Sequence, residues 1–323
     1  VQCCVECFDE GVRRVVGAGQ KTPAEDYNSC RPHAQWRPAL PGHCARTLRK
    51  DEPDSMKLAY ATATPEVAGQ VLALTGGLED CFRLLASCGY DGVELMPARP
   101  GEVDADQVCL LADRYSLTVP MVCTGELYGQ ERLMFTDPEP ARRRAALDAM
   151  KAAIDLAAPF GAFANVGRLR GRLTPGREDD SLKLAYDAFA QAADYGASRG
   201  VKVLLEPIAS GIADFLHSTD DGLAAVERFS HPNLGLMLDI AHMIAEGEEV
   251  ADSVGRAAGR FDYVHVTDSD RLPPGQGTWD LPAVLDALAA TGYDGWVSVE
   301  SRQFPDPATA ARSAYDLLRP GQT

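Results

Sequence analysis

A (β/α)8 barrel, the TIM-barrel architecture, preceded by an irregular N-terminal segment is the α/β fold class this sequence predicts. Three observations carry it. From Met56 onward, short apolar runs alternate with amphipathic stretches, eight of each, which matches one such barrel in count and in its length of about 250 residues. The runs VKVLLE, LGLMLD, FDYVH and WVSVE end on Glu206, Asp239, His265 and Glu300, and a barrel of this kind builds its site from the C-terminal ends of its strands. No Gly-x-Gly-x-x-Gly or phosphate-binding loop follows the first run, which removes the usual dinucleotide reading of an open doubly wound sheet.

The elements follow in order. The run after Met56 reads as a strand over 58–62, then a helix over 78–88 stopped by Gly89. A strand at 92–96 leads to a helix at 103–115, and a strand at 118–123 to a helix at 138–159. Asp137-Pro138 opens that helix and Gly161 closes it, as helix start and stop signals do. A strand at 162–167 precedes a helix at 179–199 that ends at Gly200. A strand at 201–206 precedes a helix at 220–229, opened by Ser218-Thr219-Asp220. Strands at 234–239 and 261–266 lead to helices at 248–258 and 280–291, the latter closed by Gly292. A last strand at 295–300 leads to a helix at 307–318, opened by Asp306-Pro307.

Residues 1–55 are of another kind. They are rich in Arg, Pro and Cys, show no sustained apolar face, and balance their acids against their bases. The formal net charge of −16 therefore belongs to 56–323. The segment begins with Val, and Met56 opens the first clean strand. The expectation is two parts: 1–55 as a tail or upstream extension, and 56–323 as the barrel. Cys4-x-x-Cys7 lacks the second pair that a zinc site requires. Cys81, Cys88, Cys109 and Cys123 sit in apolar segments and read as small buried hydrophobes.

Composition bounds the function. With 46% hydrophobic and 24% charged residues, the chain is an ordinary globular protein. No apolar run nears the roughly 18 residues a membrane span needs, and no signal pattern opens the chain, so the expected location is cytoplasmic. The negative charge disfavours nucleic acid and anionic membrane as partners. Three carboxylates and an imidazole form a hard-leaning ligand set for one divalent ion, Mn before Mg, Co or Zn. For each residue taken alone a plainer role stands beside this one. Asp239 is also placed to cap the next helix, His242 to be a structural histidine, and Arg271 to pair with Asp268 or Asp270.

The order of motifs across four strands is more specific than any one of them. It runs Leu205-Glu206-Pro207, then Leu238-Asp239-Ile240-Ala241-His242, then His265-Val266-Thr267-Asp268-Ser269-Asp270-Arg271. Pro274-Gly275-Gln276-Gly277 and Val299-Glu300 complete it. The segment from Met56 to about Pro320 thereby resembles the xylose-isomerase-like sugar isomerase and epimerase superfamily, within it the ketose 3-epimerase branch. The stretch Gly167-Arg168-Leu169-Arg170-Gly171-Arg172 resembles epimerases of keto-aldonates. The resemblance implies that Glu206, Asp239, His265 and Glu300 bind the metal, that His242 and Arg271 contact the substrate, and that Glu206 and Glu300 double as acid and base. Arg168, Arg170 and Glu94 are further substrate-side candidates; Glu94 is also placed to brace another residue, and the arginines to neutralise an acidic rim. The implied substrate is a keto sugar or keto sugar acid, the implied reaction proton removal and return through an enediolate held on the metal, and a homo-oligomer is the expected assembly.

The sequence departs from the branch immediately after Glu206. Related epimerases follow the first metal Glu with an Asn-Arg-aromatic-Glu run, whereas here Pro207 precedes Ile208-Ala209-Ser210-Gly211-Ile212-Ala213-Asp214. This keeps open a lyase on the same scaffold, a dehydratase or the subunit of a C-glycoside deglycosidase with a partner chain. An enediolate beside a leaving group eliminates instead of epimerising. A phosphodiesterase of the endonuclease-like branch would need more histidines than the six present.

Overall fold

The computed structural model describes residues 56–319. Residues 1–55, with the Cys4-x-x-Cys7 pair and the extension assigned to them, lie outside the described residues. Eight parallel strands close into a barrel in sequential order: β1 Lys57–Ala63, β2 Gly92–Met96, β3 Met121–Val122, β4 Phe163–Val166, β5 Val203–Leu205, β6 Leu234–Asp239, β7 Tyr263–Val266 and β8 Trp296–Val299. Closure is made by β1 and β8, with Lys57 opposite Trp296 and Tyr60 opposite Val299. The helices are α1 Leu78–Cys88, α2 Ala105–Tyr115, α3 Gly125–Gly129, α4 Pro140–Ala157, α5 Glu178–Arg199, α6 Thr219–Phe229, α7 Ile240–Ala245, α8 Val250–Arg256, α9 Leu281–Ala290 and α10 Pro307–Leu318.

Eight of these helices are the ones the sequence predicts; α3 and α7 are additional, short, and lie directly after β3 and β6. The expected caps operate at Ser218, where a reciprocal capping box forms with Asp221, and at Asp306. At α4 the start falls later than read. Asp137 accepts the Glu139 amide and Pro140 takes the first turn. Cys81 and Cys123 are buried, while Cys88 and Cys109 are only half so.

Strand periodicity decides what faces inward. Val203, Leu205, Leu236, Leu238, Val264, Val266, Val297 and Val299 belong to the large core beneath the helices. The alternate residues Met121, Leu204, Met237 and Tyr263 form a separate cluster with Phe163 and Trp296 against it. This is the lower layer of the barrel interior. With a side-chain period of two, the next inward positions are Asn165, Glu206, Asp239, His265 and Ser298, and on β2 Glu94, with Glu300 one inward step beyond Ser298 on β8. Below the barrel, Arg319 donates to the Met56 carbonyl at 2.9 Å and to Asp91 at 2.7 Å, while Asp91 accepts the Leu58 amide. The last helix is thus latched to the first strand.

Candidate active site

Each functional side chain is aimed by its own local device. Asp239, the last residue of β6, caps α7: its Oδ1 accepts from the amides of Ala241 and His242 at 2.7 and 3.2 Å. With that oxygen committed, Oδ2 points into the barrel mouth, where it accepts from Arg271 Nη1 at 3.0 Å. The capping role and the site role therefore coexist, one per oxygen. The same short helix presents His242, whose Nε2 lies 3.6 Å from Asp239 Oδ2.

Arg271 reaches the site through an unusual turn. Asp270 and Arg271 both have φ of 58°, a left-handed conformation that costs a non-glycine residue energy. Asp268 holds this turn by accepting from the amides of Ser269, Gly275 and Trp279. A Cβ on Gly277 would meet Asp268 Oδ1 at 2.2 Å, which is why this stretch needs glycine there. The guanidinium then bonds Asp239 Oδ2 and Glu300 Oε2 at 3.0 Å each and approaches His242 Nε2 at 3.2 Å. Its carboxylate partners are the barrel-mouth acids and not Asp268 or Asp270.

His265 is fully buried. Its Nε2 lies 2.9 Å from Glu94 Oε1, and Tyr263 donates to Glu94 Oε2 at 2.9 Å. Its Nδ1 is buried without a hydrogen-bond partner, 3.9 Å from both Glu206 Oε1 and Glu300 Oε2. That separation is too long for a hydrogen bond and suits donors that share one ion at about 2.1 Å each. Two overlapping sets can hold such an ion: Glu206, Asp239 and His242, and Asp239, His265 and Glu300, with donor atoms within 4.8 Å of one another in each. The quartet singled out in the sequence lies within these sets, and His242 joins them as a further donor.

Charge is distributed unevenly. Burial raises the Glu206 carboxyl to about 7, with His265 opposing and Glu300 and Asp239 adding to the rise. Burial also raises Glu300, against the pull of His265 and Arg271. At Asp239 burial is outweighed by Arg271, His242 and His265, and its carboxyl falls well below the usual range. Burial lowers His242 to about 4, so this ring is neutral at neutral pH. Burial opposes the charge on His265, but Glu94 and Glu300 lift it to about 10. An acid-rich pocket with an orphaned imidazole nitrogen fits a divalent cation by charge and by donor type.

Of the substrate-side candidates, Glu94 takes the bracing alternative and Arg170 turns to the backbone. Glu94 is fully buried and its oxygens serve His265 and Tyr263, so it orients the imidazole from behind, as carboxylates behind ligating histidines do. Arg170 is also fully buried. Four of its five N–H donors go to the carbonyls of Gly167, Phe215, Leu216 and Val166, which commits it to the protein's own backbone. Arg172 pairs with Asp214. Arg168 stays half-exposed on the rim, bonded to the Gly125 carbonyl, near Glu126 and over the Tyr128 ring. Sequence reasoning missed Asn165, whose amide donates to Glu206 Oε2 at 2.9 Å. The available signal was a polar residue inside the apolar run of strand four.

A closed parallel barrel with its ionisable side chains gathered at the C-terminal ends of β5–β8 is the arrangement of a TIM-barrel enzyme. The profile of the xylose isomerase-like TIM barrel family matches residues 82–320, and the chain belongs to that family. It is 27% identical over 263 residues to a fructoselysine 3-epimerase of Shigella flexneri, covering 75% of this chain and 92% of that one. It is 25% identical over 248 residues to a 3-dehydro-D-guloside 4-epimerase of Escherichia coli K12, covering 74% and 92%. The crystal structure of a D-allulose 3-epimerase from Methylomonas sp. shares the fold with a TM-score of 0.68 at 21% identity, covering 82% of this chain and 97% of that chain. Among the described residues no helix is long and apolar enough to cross a membrane.

Proposed function

We propose that this chain is a divalent-metal-dependent epimerase of a keto sugar. The observation that carries the reading is the pair Glu206 and Glu300. They come from β5 and β8 and stand at the same 3.9 Å from the partnerless Nδ1 of His265. Epimerisation needs one group to remove a proton from one face of a carbon and another to return a proton to the opposite face. A divalent ion held by Asp239, His265, Glu206 and Glu300 would supply the Lewis acidity that acidifies a C–H next to a ketone.

The chain's own residues do the rest. Glu206 takes or returns the proton on one face of the carbon, and Glu300, from the other side of the barrel mouth, serves the other. Asp239 stays ionised and anchors both the ion and Arg271. His242, neutral, is suited to hydrogen-bond a substrate hydroxyl, and Arg271 to steady an oxygen that gains negative charge. Arg168 is the remaining rim cation for substrate contact. Since Arg170 and Arg172 are committed to the protein itself, a neutral keto sugar fits better than a keto acid.

The wall after Glu206 recognises by shape. Ile208, Ala209 and Ala213 are buried, and the one hydroxyl there, Ser210, donates to Glu246. The experiment is incubation of the Mn-loaded protein with a panel of keto sugars and keto sugar acids in heavy water. Deuterium entering one carbon, with a stereoisomer of equal mass as product, is the expected result. Loss of water or of an aglycone would make it a lyase, and no exchange with any substrate would refute the reading.

A further inference from the structure

We infer that Asn165 is a positioning residue that holds the Glu206 carboxylate in place for its share of the proton transfer; this rests on the two-carboxylate reading above. Asn165 is fully buried on β4, and its amide has one orientation. The Thr124 amide donates to its Oδ1 at 2.8 Å, and the Thr124 hydroxyl donates to its backbone carbonyl at 2.8 Å. Its Nδ2 is thereby turned to Glu206 Oε2 at 2.9 Å. The same oxygen is walled by Gly167, where a Cβ would lie 2.5 Å from it. Oε2 is therefore fixed by the amide and hemmed by Gly167, and Oε1, the oxygen nearest His265 Nδ1, faces the barrel mouth.

Glu300 has no such amide. Its Oε2 accepts from Arg271, its side chain is 14% exposed against 8% for Glu206, and its neighbour is a cation. The two carboxylates are thus held by different groups on different strands and can be disabled separately. A neutral amide donor suits a carboxylate that must cycle between ionised and protonated forms, because it neither locks the charge on nor repels it.

The test uses the full chain loaded with Mn, the epimer pair found by the heavy-water panel, and two variants. Asn165→Leu removes the donor, and Asn165→Asp, of the same shape, keeps the acceptor for Thr124 and sets an oxygen against Glu206. Exchange into recovered substrate and inversion are followed separately by NMR from each epimer. Bound Mn is measured by electron paramagnetic resonance on the same samples. From the epimer whose proton Glu300 removes, exchange persists within about threefold while inversion falls at least about tenfold, since Glu206 no longer delivers to the far face. From the other epimer both rates fall together. Equal losses from both epimers at full Mn occupancy, or no loss, would overturn the inference and leave the epimerase reading standing. Absence of any exchange by the unaltered protein would remove both.

Discussion

The two halves of the barrel share a backbone pattern and differ in what they turn inward. At the C-terminal ends of β5–β8 stand Glu206, Asp239, His265 and Glu300. The upper layer of β1–β3 is Ala61, Ala63, Met96 and Cys123, packed with Ala73 and flanked by Val67 and Val71. The thiol of Cys123 is pushed well above its ordinary range by burial and by Glu94, Glu300 and Glu206, so it faces the acids as an inert apolar group. One half is thus an ionic wall and the other an apolar one. Where the first four strands do carry polar inward groups, Glu94 and Asn165, these point across to His265 and Glu206 and not into the open mouth. On the proposed reading, one half would present the reacting atoms, while the other supplies support and a low-dielectric face.

The sharpest way to break this contrast is to neutralise the ionic wall. Glu206→Gln and Glu300→Gln are each expected to lower epimerisation by about 10³-fold or more, measured by product formation at saturating metal. The same Glu206 change has an opposite effect on stability without metal. Because the folded-state carboxyl is raised from 4.5 to about 7, its stabilising share is complete below about 4.5 and is lost as pH rises through 7. His265, raised from 6.5 to about 10, acts in the same sense between those values. His242, lowered from 6.5 to about 4, acts in the opposite sense up to about 6.5, so the metal-free protein should lose stability chiefly from about pH 6.5 to 8, and Glu206→Gln should flatten that slope by about 1 kcal/mol, read from urea melts across pH. Metal affinity should run the other way and strengthen as pH rises through 7, since the ligand must be ionised.

The next largest effect tests support. Arg170→Met should destabilise the fold by about 3 kcal/mol or more, because it strands several buried carbonyls. Its loss should also loosen the 208–216 wall, visible as faster amide exchange there. Glu94→Gln removes the charge behind His265 and should weaken Mn binding by about 10–100-fold, measured by titration calorimetry, while leaving the fold intact. If it instead abolished inversion with metal saturated, the first half of the barrel would be presenting a reacting group and the contrast would fail. The smallest effect is proposed for a chain that starts at Met56. The ring of strands closes from Lys57 to Val299, so its melting temperature should stay within a few degrees, given changes of about 0.5 kcal/mol away from packed sites.

Much of the fold is legible because its signals are local. Eight runs, Gly stops and Asp or Ser starts each act within a few residues, and the helices at 78–88 and 307–318 fall where the pattern puts them. Strand ends are less so. The expected 118–123 shrinks to Met121–Val122, because the tilted strands pair over only a few residues. α7 is invisible to periodicity, since it is six residues long and exists because Asp239 caps it.

The sequence by itself determined the barrel, its four strand-end ligand candidates and the motif order that marks the family, because these depend on residue type and spacing. Tertiary structure alone decided the direction of each charged group. Glu94 turns to His265, Arg170 to backbone carbonyls, Asn165 to Glu206, and Arg271 to two acids from strands far away in sequence. The physical reason is that a buried polar group takes whichever partner the packing brings within about 3 Å, and between strands that partner is set by barrel closure, which no local pattern encodes.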